Sequence, residues 1–367
     1  MRARLAKGLD SAEPVAEELA SATQLFHSIL GAANQQIALD PEARSTDQMV
    51  YTHGVTLWML ILQRLGGGQT LSEVVAQVLS HDRNLLPDNK RVRENTLSEN
   101  SGAYSRARKR LPLDYIVDFS QRVCNYLGEI SEPLIGSQRA FLLDGTTITL
   151  PPTKVLKQAY PPAPNQHGES VWPVAQLMIA NELQSGCALL PQIDPMYGEN
   201  NASEAVQAQR IIAQLPASSI VLADSGFGIY SVAYHCGLAR HNFLFRLTHQ
   251  RFKALRRGAV LIDEGPTHQT FHLRWTPTAK DRRSTPDLPP EAALDVILHE
   301  VVVSDDLTLY LVSDLEVDGP TSANLYRRRY DVEFDPPRLQ GDARCREHPG
   351  QECGDVPEGA LYLDRRL

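Results

Sequence analysis

No apolar run in the 367 residues reaches the ~20 that a helix needs to cross a bilayer, and the longest, "VTLWMLILQRL", is about half that length. The N-terminus lacks the form of a signal peptide, with Asp10, Glu13, Glu17 and Glu18 where basic and apolar residues would stand. A cytoplasmic location away from membranes is expected. Cysteine is scarce: Cys124, Cys187, Cys236, Cys345 and Cys353 are scattered, odd in number and without a C-x-x-C pair. That pattern excludes a zinc knuckle and a disulfide framework, so the five read as reduced thiols. The 11 histidines show neither H-x-x-H nor H-E-x-x-H spacing, which argues against a zinc hydrolase, and no P-loop or G-x-G-x-x-G is present. Positive charge is also short, with 36 Lys and Arg against 44 Asp and Glu for a net charge of -8.

The distribution of that charge matters more than its sum. Between Arg83 and Arg110 stand eight lysines and arginines against Asp88, Glu94 and Glu99, and between Arg240 and Arg257 six stand with no acid. Basic stretches in an acidic chain fit a localised nucleic-acid footprint, and equally well a solvated helix face.

Along the chain, residues 1–135 read as helical. "VAEELASATQLFHSIL" and "VTLWMLILQRL" carry apolar residues at helical spacing, Gly66 to Gly68 break the second, and "TLSEVVAQVLS" opens with the capping-box pair Thr70 and Glu73. This is a helix-turn-helix outline. Further on, "SENSGAYSRARKRL" offers Asn100 or Ser101 as a cap for a helix bearing Arg106, Arg108, Lys109 and Arg110, suited to phosphate contacts.

From about residue 136 the pattern changes to strands. "AFLLDGTTITL", "VWPVAQLMIANE" and "CALLPQI" precede the helical "NASEAVQAQRIIAQL", and "SIVLADSGF", "IYSVAYHCGLA" and "NFLFRL" then read as strand, helix and strand. That order is the order of an α/β, ribonuclease H-like core, occupying 136–257. Residues 258–318, with short strands around the Pro-rich "TPTAKDRRSTPDLPPEAA", look like a β-rich insertion, and 319–340 return to helix to close the core.

The strand "AFLLDGTTITLP" places Asp144 amid apolar and β-branched residues, where a half-buried carboxylate costs several kcal/mol unless paired or metal-bound. The plainer reading is an aspartate that caps a turn through Gly145. Asp224 ends "SIVLAD", and in a ribonuclease H-like sheet these two strands are neighbours; Glu333 follows on the closing helix. Three convergent carboxylates need a counter-charge, and hard divalent cations with oxygen ligands supply it. Magnesium fits, with manganese as a substitute. Two such ions about 4 Å apart activate a water or hydroxyl for attack on a phosphodiester. His167 and Glu169 lie in a hairpin that could approach this site, and Asp194, Glu199 and Glu204 read as loop and helix N-terminal charges.

"LLDGTTITLP", "LADSGFG" and "YRRRYDVEF" resemble the DDE transposases of bacterial insertion sequences, in particular the group with a β-rich insertion and a Y-R-E-K signature. The resemblance implies Asp144, Asp224 and Glu333 as catalytic metal ligands, with Tyr326 and Arg329 gripping DNA phosphates beside the cleavage point. It further implies cutting and joining at element inverted repeats and target DNA, and a homodimer on DNA at the nucleoid. The sequence departs at the lysine position, where Gln340 stands behind Pro336 and Pro337, and 341–367 lack a helical apolar period, as in a truncated or frameshifted end. A catalytically inactive DNA-binding remnant is therefore the alternative. A glycosidase needs two acids only and leaves the basic stretches unexplained.

Overall fold

The computed structural model describes residues 49–330 apart from 66–68, 82 and 166–167. The chain forms two compact units that divide between Val123 and Cys124.

The first unit is helical: α1 (His53–Leu65), α2 (Leu71–Ser80), α3 (Lys90–Arg93), α4 (Gly102–Arg110) and α5 (Leu113–Ile130), the last crossing the division. Its core comes from one stripe of each longer helix, with Trp58, Met59 and Leu62 of α1 against Val74, Val75 and Val78 of α2 and Tyr104 and Ala107 of α4. Thr70 and Glu73 cap α2 reciprocally: the Glu73 amide donates to Thr70 Oγ1 at 3.3 Å and the Thr70 amide to Glu73 Oε2 at 2.7 Å. At the start of α4 it is Asn100 Oδ1 that accepts from the Gly102 amide, at 2.7 Å, while Ser101 makes no capping bond.

The second unit is mixed α/β around one large sheet. In chain order it contains β1 (Ala140–Thr149), α6 (Lys154–Ala159), β2 (Pro162–Asn165), β3 (Gly168–Glu182), β4 (Gln192–Pro195), α7 (Glu204–Ile212), β5 (Ile220–Ala223), α8 (Tyr230–Leu238) and β6 (Asn242–Arg246). It continues through α9 (His249–Arg256), β7 (Val260–Gly265), β8 (His268–Trp275), α10 (Ala279–Ser284), β9 (Leu294–Ser304), β10 (Leu307–Ser313) and α11 (Gly319–Arg327). The strand order is β2-β3-β1-β5-β6-β10-β9-β8-β7, with β4 also pairing β3. Strands β1, β5 and β6 run parallel, and β3 is antiparallel to β1. Because β10 pairs antiparallel with β6, the strands beyond residue 258 extend the core sheet.

The sheet is apolar on both sides, as buried parallel strands must be. Leu143, Ala223 and Phe245 join a cluster with Ile211 and Ile212 of α7 and Val232 and Ala233 of α8. Leu142, Leu222 and Leu244 join the other, with Leu311 of β10 and Leu325 and Tyr326 of α11. Helix α11 begins at Asp318, whose Oδ1 accepts from the Thr321 amide at 2.7 Å.

Two cysteines depart from the sequence reading. Cys124 and Cys187, 63 residues apart, form a disulfide across a Cα–Cα distance of 5.7 Å, a proximity that belongs to the tertiary fold and to no local spacing. Cys236 is a buried free thiol, and burial pushes its pKa up. Among the described residues no helix is long and apolar enough to cross a membrane.

Candidate active site

The site is built where the parallel strands β5 and β6 end beside the middle of β1. Leu143 of β1 pairs in register with Ala223 of β5, and Ala223 with Phe245 of β6. Asp144, Asp224 and Arg246 are the next residues along the chain in each case, Asp224 lying just past the end of β5, so they form one row. Each also lies two residues beyond Leu142, Leu222 and Leu244, and side chains two apart share a face. The row therefore opens on the face that α11 covers.

Asp144 is exposed, which corrects the half-buried aspartate expected from its apolar neighbours. The reason is the unequal length of the strands: β5 stops at Ala223, whereas β1 continues to Thr149, so on that side β1 has outrun its neighbour. Nor does a turn follow, since β1 passes straight through Gly145. A Cβ there would stand 3.2 Å from Glu204 Oε1, which places that carboxylate across the sheet from Asp144 and outside the row.

Asp224 is partly exposed and opens a tight loop. Its Oδ1 accepts from the Gly226 amide at 2.8 Å, an Asx turn. Arg251 of α9 donates to the Ser225 carbonyl, holding the same loop from its far side. Gly228 packs on the Arg246 carbonyl so closely that a Cβ would overlap it.

Tyr326 is 0% exposed on the inner side of α11, and Arg329 Nη1 donates to its hydroxyl at 3.1 Å. Burial pushes the Tyr326 phenol up; the hydrogen bond and charge of Arg329, then the charge of Arg246, oppose this, while Asp224 reinforces it. Those four residues thus share one electrostatic neighbourhood.

Among the described residues no three His, Cys, Asp or Glu side chains form a metal-holding cluster. Glu333, Pro336, Pro337, Gln340 and the rest of 331–367 lie outside the described residues, as do His167 and the side chain of Glu169. Asp194 is held by Arg210 Nη1 at 2.9 Å and by Gln207 Nε2 at 3.0 Å, a structural pairing.

On α4, Arg106, Lys109 and Arg110 are exposed. Arg108 is not: at 2% exposure it lies in the helical core, 5.8 Å from the centre of the Tyr104 ring, and cannot reach a phosphate from there. The helical period explains this correction, because residue 108 falls on the stripe of Tyr104, four residues earlier. Conversely, the sequence reading missed Arg246 as a member of the site. Its only local signal is an arginine directly after the buried strand "NFLF".

Residues 135–334 match the family model described as Transposase DDE domain. No curated protein matches the sequence. Among solved structures, Endonuclease V from Ciona intestinalis in complex with a 23mer DNA containing an inosine followed by a ribo-adenosine is similar at 10% identity, over 59% of this chain and 89% of that one, with a TM-score of 0.24. The NurA nuclease from Sulfolobus solfataricus is similar at 7% identity, over 62% and 92%, with a TM-score of 0.28. Likenesses at that level carry no argument about this site. The family match does, since it spans more than half of the 367 residues and contains Asp144, Asp224, Arg246, Tyr326 and Arg329. The chain belongs to the DDE transposases of insertion sequences.

Proposed function

We propose that the chain is a metal-dependent DNA transposase that cuts and joins phosphodiester bonds at the inverted repeats of its element, with Asp144, Asp224 and Glu333 as the catalytic carboxylates. The observation that carries this reading is the β1–β5 register, whose last pair, Leu143 with Ala223, is followed directly by Asp144 in the middle of β1 and by Asp224 just past the end of β5. The order β4-β3-β1-β5-β6, parallel from β1 to β6 and antiparallel before it, supports a ribonuclease H-like core.

DDE transposases normally use divalent metal ions, and the residues present fit one: two hard oxygen donors, both open to solvent, share one face. Asp144 and Asp224 would hold it together with Glu333, and Mg²⁺ or Mn²⁺ there would activate the attacking water or 3′ hydroxyl and stabilise the leaving oxygen. The rest is positioning. The Asx turn and Arg251 keep Asp224 in place, and Arg329, oriented by the Tyr326 hydroxyl, faces DNA phosphate. Tyr326, wholly buried, acts through Arg329. Arg106, Lys109 and Arg110 bind phosphates of the element end from the helical unit, and a homodimer holds the two ends.

The second reading, a remnant that binds without cutting, is favoured by Gln340 at the lysine position behind Pro336 and Pro337, which lack amide donors and disfavour helix before them. One experiment separates the two. The purified full chain is incubated with a labelled duplex carrying the inverted repeat that flanks the gene, with Mg²⁺ or Mn²⁺. Metal-dependent cleavage that disappears in D144N and D224N supports the transposase; binding with no cleavage in either metal supports the remnant. Cleavage unaffected by both substitutions would overturn the carboxylate assignment.

A further inference from the structure

We propose that Arg246 is a substrate-contacting residue that clamps a DNA phosphate beside Asp144 and Asp224. The inference deepens the transposase reading and rests on DNA being the substrate.

Arg246 ends β6 as Asp224 follows β5 and as Asp144 sits on β1, so three adjacent strands present acid, acid and guanidinium at one level. Its backbone is fixed on every side. Gly228 packs on its carbonyl, Leu311 of β10 pairs with it, and the next amide, Leu247, donates to the Tyr310 carbonyl at 2.7 Å. A side chain on a rigid strand end is preorganised in a way that one on a loop is not.

Arg246 as a residue is half-buried, yet among the described residues its side chain makes no hydrogen bond or ion pair, with Asp224 or with anything else. An arginine taken partly out of water without acceptors is costly, and structural arginines in this unit do not behave so. Arg139 pairs with buried Glu182, Arg210 with Asp194 and Arg256 with Glu300. Arg246 has the charge of a counter-ion to the acids without the contact. Its planar fork of donors matches two phosphate oxygens, and a phosphodiester brought to Asp144 and Asp224 would place such oxygens at the same level of the sheet. Arg329, two residues past the end of α11, donates to the Tyr326 hydroxyl, whose titration Arg246 also influences, so the two arginines would hold the strand from the sheet and from the end of the helix.

The test compares the full chain with R246A, R246Q and R246K, first confirming by thermal melting that each folds. The probe is the fluorescent inverted-repeat duplex. Binding is measured without metal across a salt series, and cleavage is measured with Mn²⁺ at saturating duplex. Loss of one phosphate contact predicts about tenfold weaker binding in R246A and R246Q, and a salt slope shallower by about 0.9. R246K keeps the slope, since a point charge still neutralises a phosphate, but it cannot fork, so its cleavage falls by about tenfold and that of R246A by about 10²-fold or more. If R246A and R246Q melt lower while affinity and slope stay unchanged, Arg246 is structural and the proposal fails. Unchanged melting, slope and cleavage also overturn it. A parent chain that binds but cuts nothing sinks the cleavage reading alone, because the slope still decides for Arg246; one that binds no DNA sinks both.

Discussion

The basic helix α4, at the end of the first basic stretch, and the second stretch, Arg240 to Arg257, look alike in sequence and are used differently. In α4 the charges sit on one helix, so three of the four, Arg106, Lys109 and Arg110, are displayed together and the fourth is turned into the core. Between Arg240 and Arg257 the chain passes through a strand end, a loop and a helix, and the charges scatter. Arg246 joins the acid row, Arg251 braces the Asp224 loop, and Arg256 bonds Glu300 at 3.1 Å and Gln269 at 2.9 Å while its guanidinium lies 4.6 Å from the centre of the Phe271 ring. A charge run on a single helix is a surface; the same run across three elements is a set of separate parts. The first should set affinity and the second chemistry.

The strongest way to break that division is at the acids. D224N in the full chain should lower cleavage of the inverted-repeat duplex by about 10³-fold or more, roughly 4 kcal/mol in the barrier, and leave metal-free binding within about threefold. Equal loss of binding and cleavage would show that the sheet unit supplies affinity as well.

Acid sharpens the comparison from another direction. His299 of β9 is buried between Thr270 Oγ1 at 3.2 Å from Nδ1 and Ser322 Oγ at 3.1 Å from Nε2, tying β8 and β9 to α11. Burial holds its pKa down to about 4, with Asp318 pulling it up and His268 pushing it down. The unfolded chain, with an ordinary histidine value near 6.5, takes up the proton first. The stability from this residue is therefore complete above about pH 6.5 and lost as pH falls to about 4, up to about 3 kcal/mol. Thermal melting between those values should show the loss, and H299Q should flatten it. A slope identical in H299Q would assign the acid sensitivity elsewhere.

Arg251 tests whether the second stretch includes positioning parts. R251A removes the brace on the Ser225 carbonyl and should slow cleavage about 10–100-fold at saturating duplex, with the salt slope of binding unchanged. A slope shallower by about 0.9 would instead make it a phosphate contact.

The smallest effect per residue is expected on α4. Replacing Arg106, Lys109 and Arg110 together with alanine should make the salt slope shallower by about 2.7, at about 0.9 for each lost phosphate contact, without lowering the melting temperature. R108A should do the reverse, lowering the melting temperature through lost packing around Tyr104 and leaving the slope alone. If R108A also changed the slope, the buried position of that arginine would not persist on DNA.

Local chemistry makes parts of this legible in the sequence alone. The capping box at Thr70 and Glu73 and the apolar stripes of α1 and α2 are short-range patterns, and each marked a real element. The same holds for β1, β5 and β6, whose runs "AFLL", "IVLA" and "NFLF" are buried on both faces. What was not legible depends on where neighbouring elements stop. Asp144 looked buried because its own strand is apolar, and it is exposed because a different strand is shorter. Cys124 and Cys187 looked solitary because pairing across 63 residues leaves no spacing to read. Arg108 could have been placed by following the helical period from Tyr104, whereas Arg246 needed the register of three strands.

Gly228 touches neither carboxylate nor DNA in any role assigned above, yet it lets the Asp224 loop close against the Arg246 carbonyl. The spacing between acid and guanidinium thus depends on a missing methyl group. On the transposase reading, a gene copy that had drifted to alanine at this codon would retain every acid and every arginine and yet lose the close approach that sets them side by side. Counting intact carboxylates would then overstate how many copies of such an element can still move.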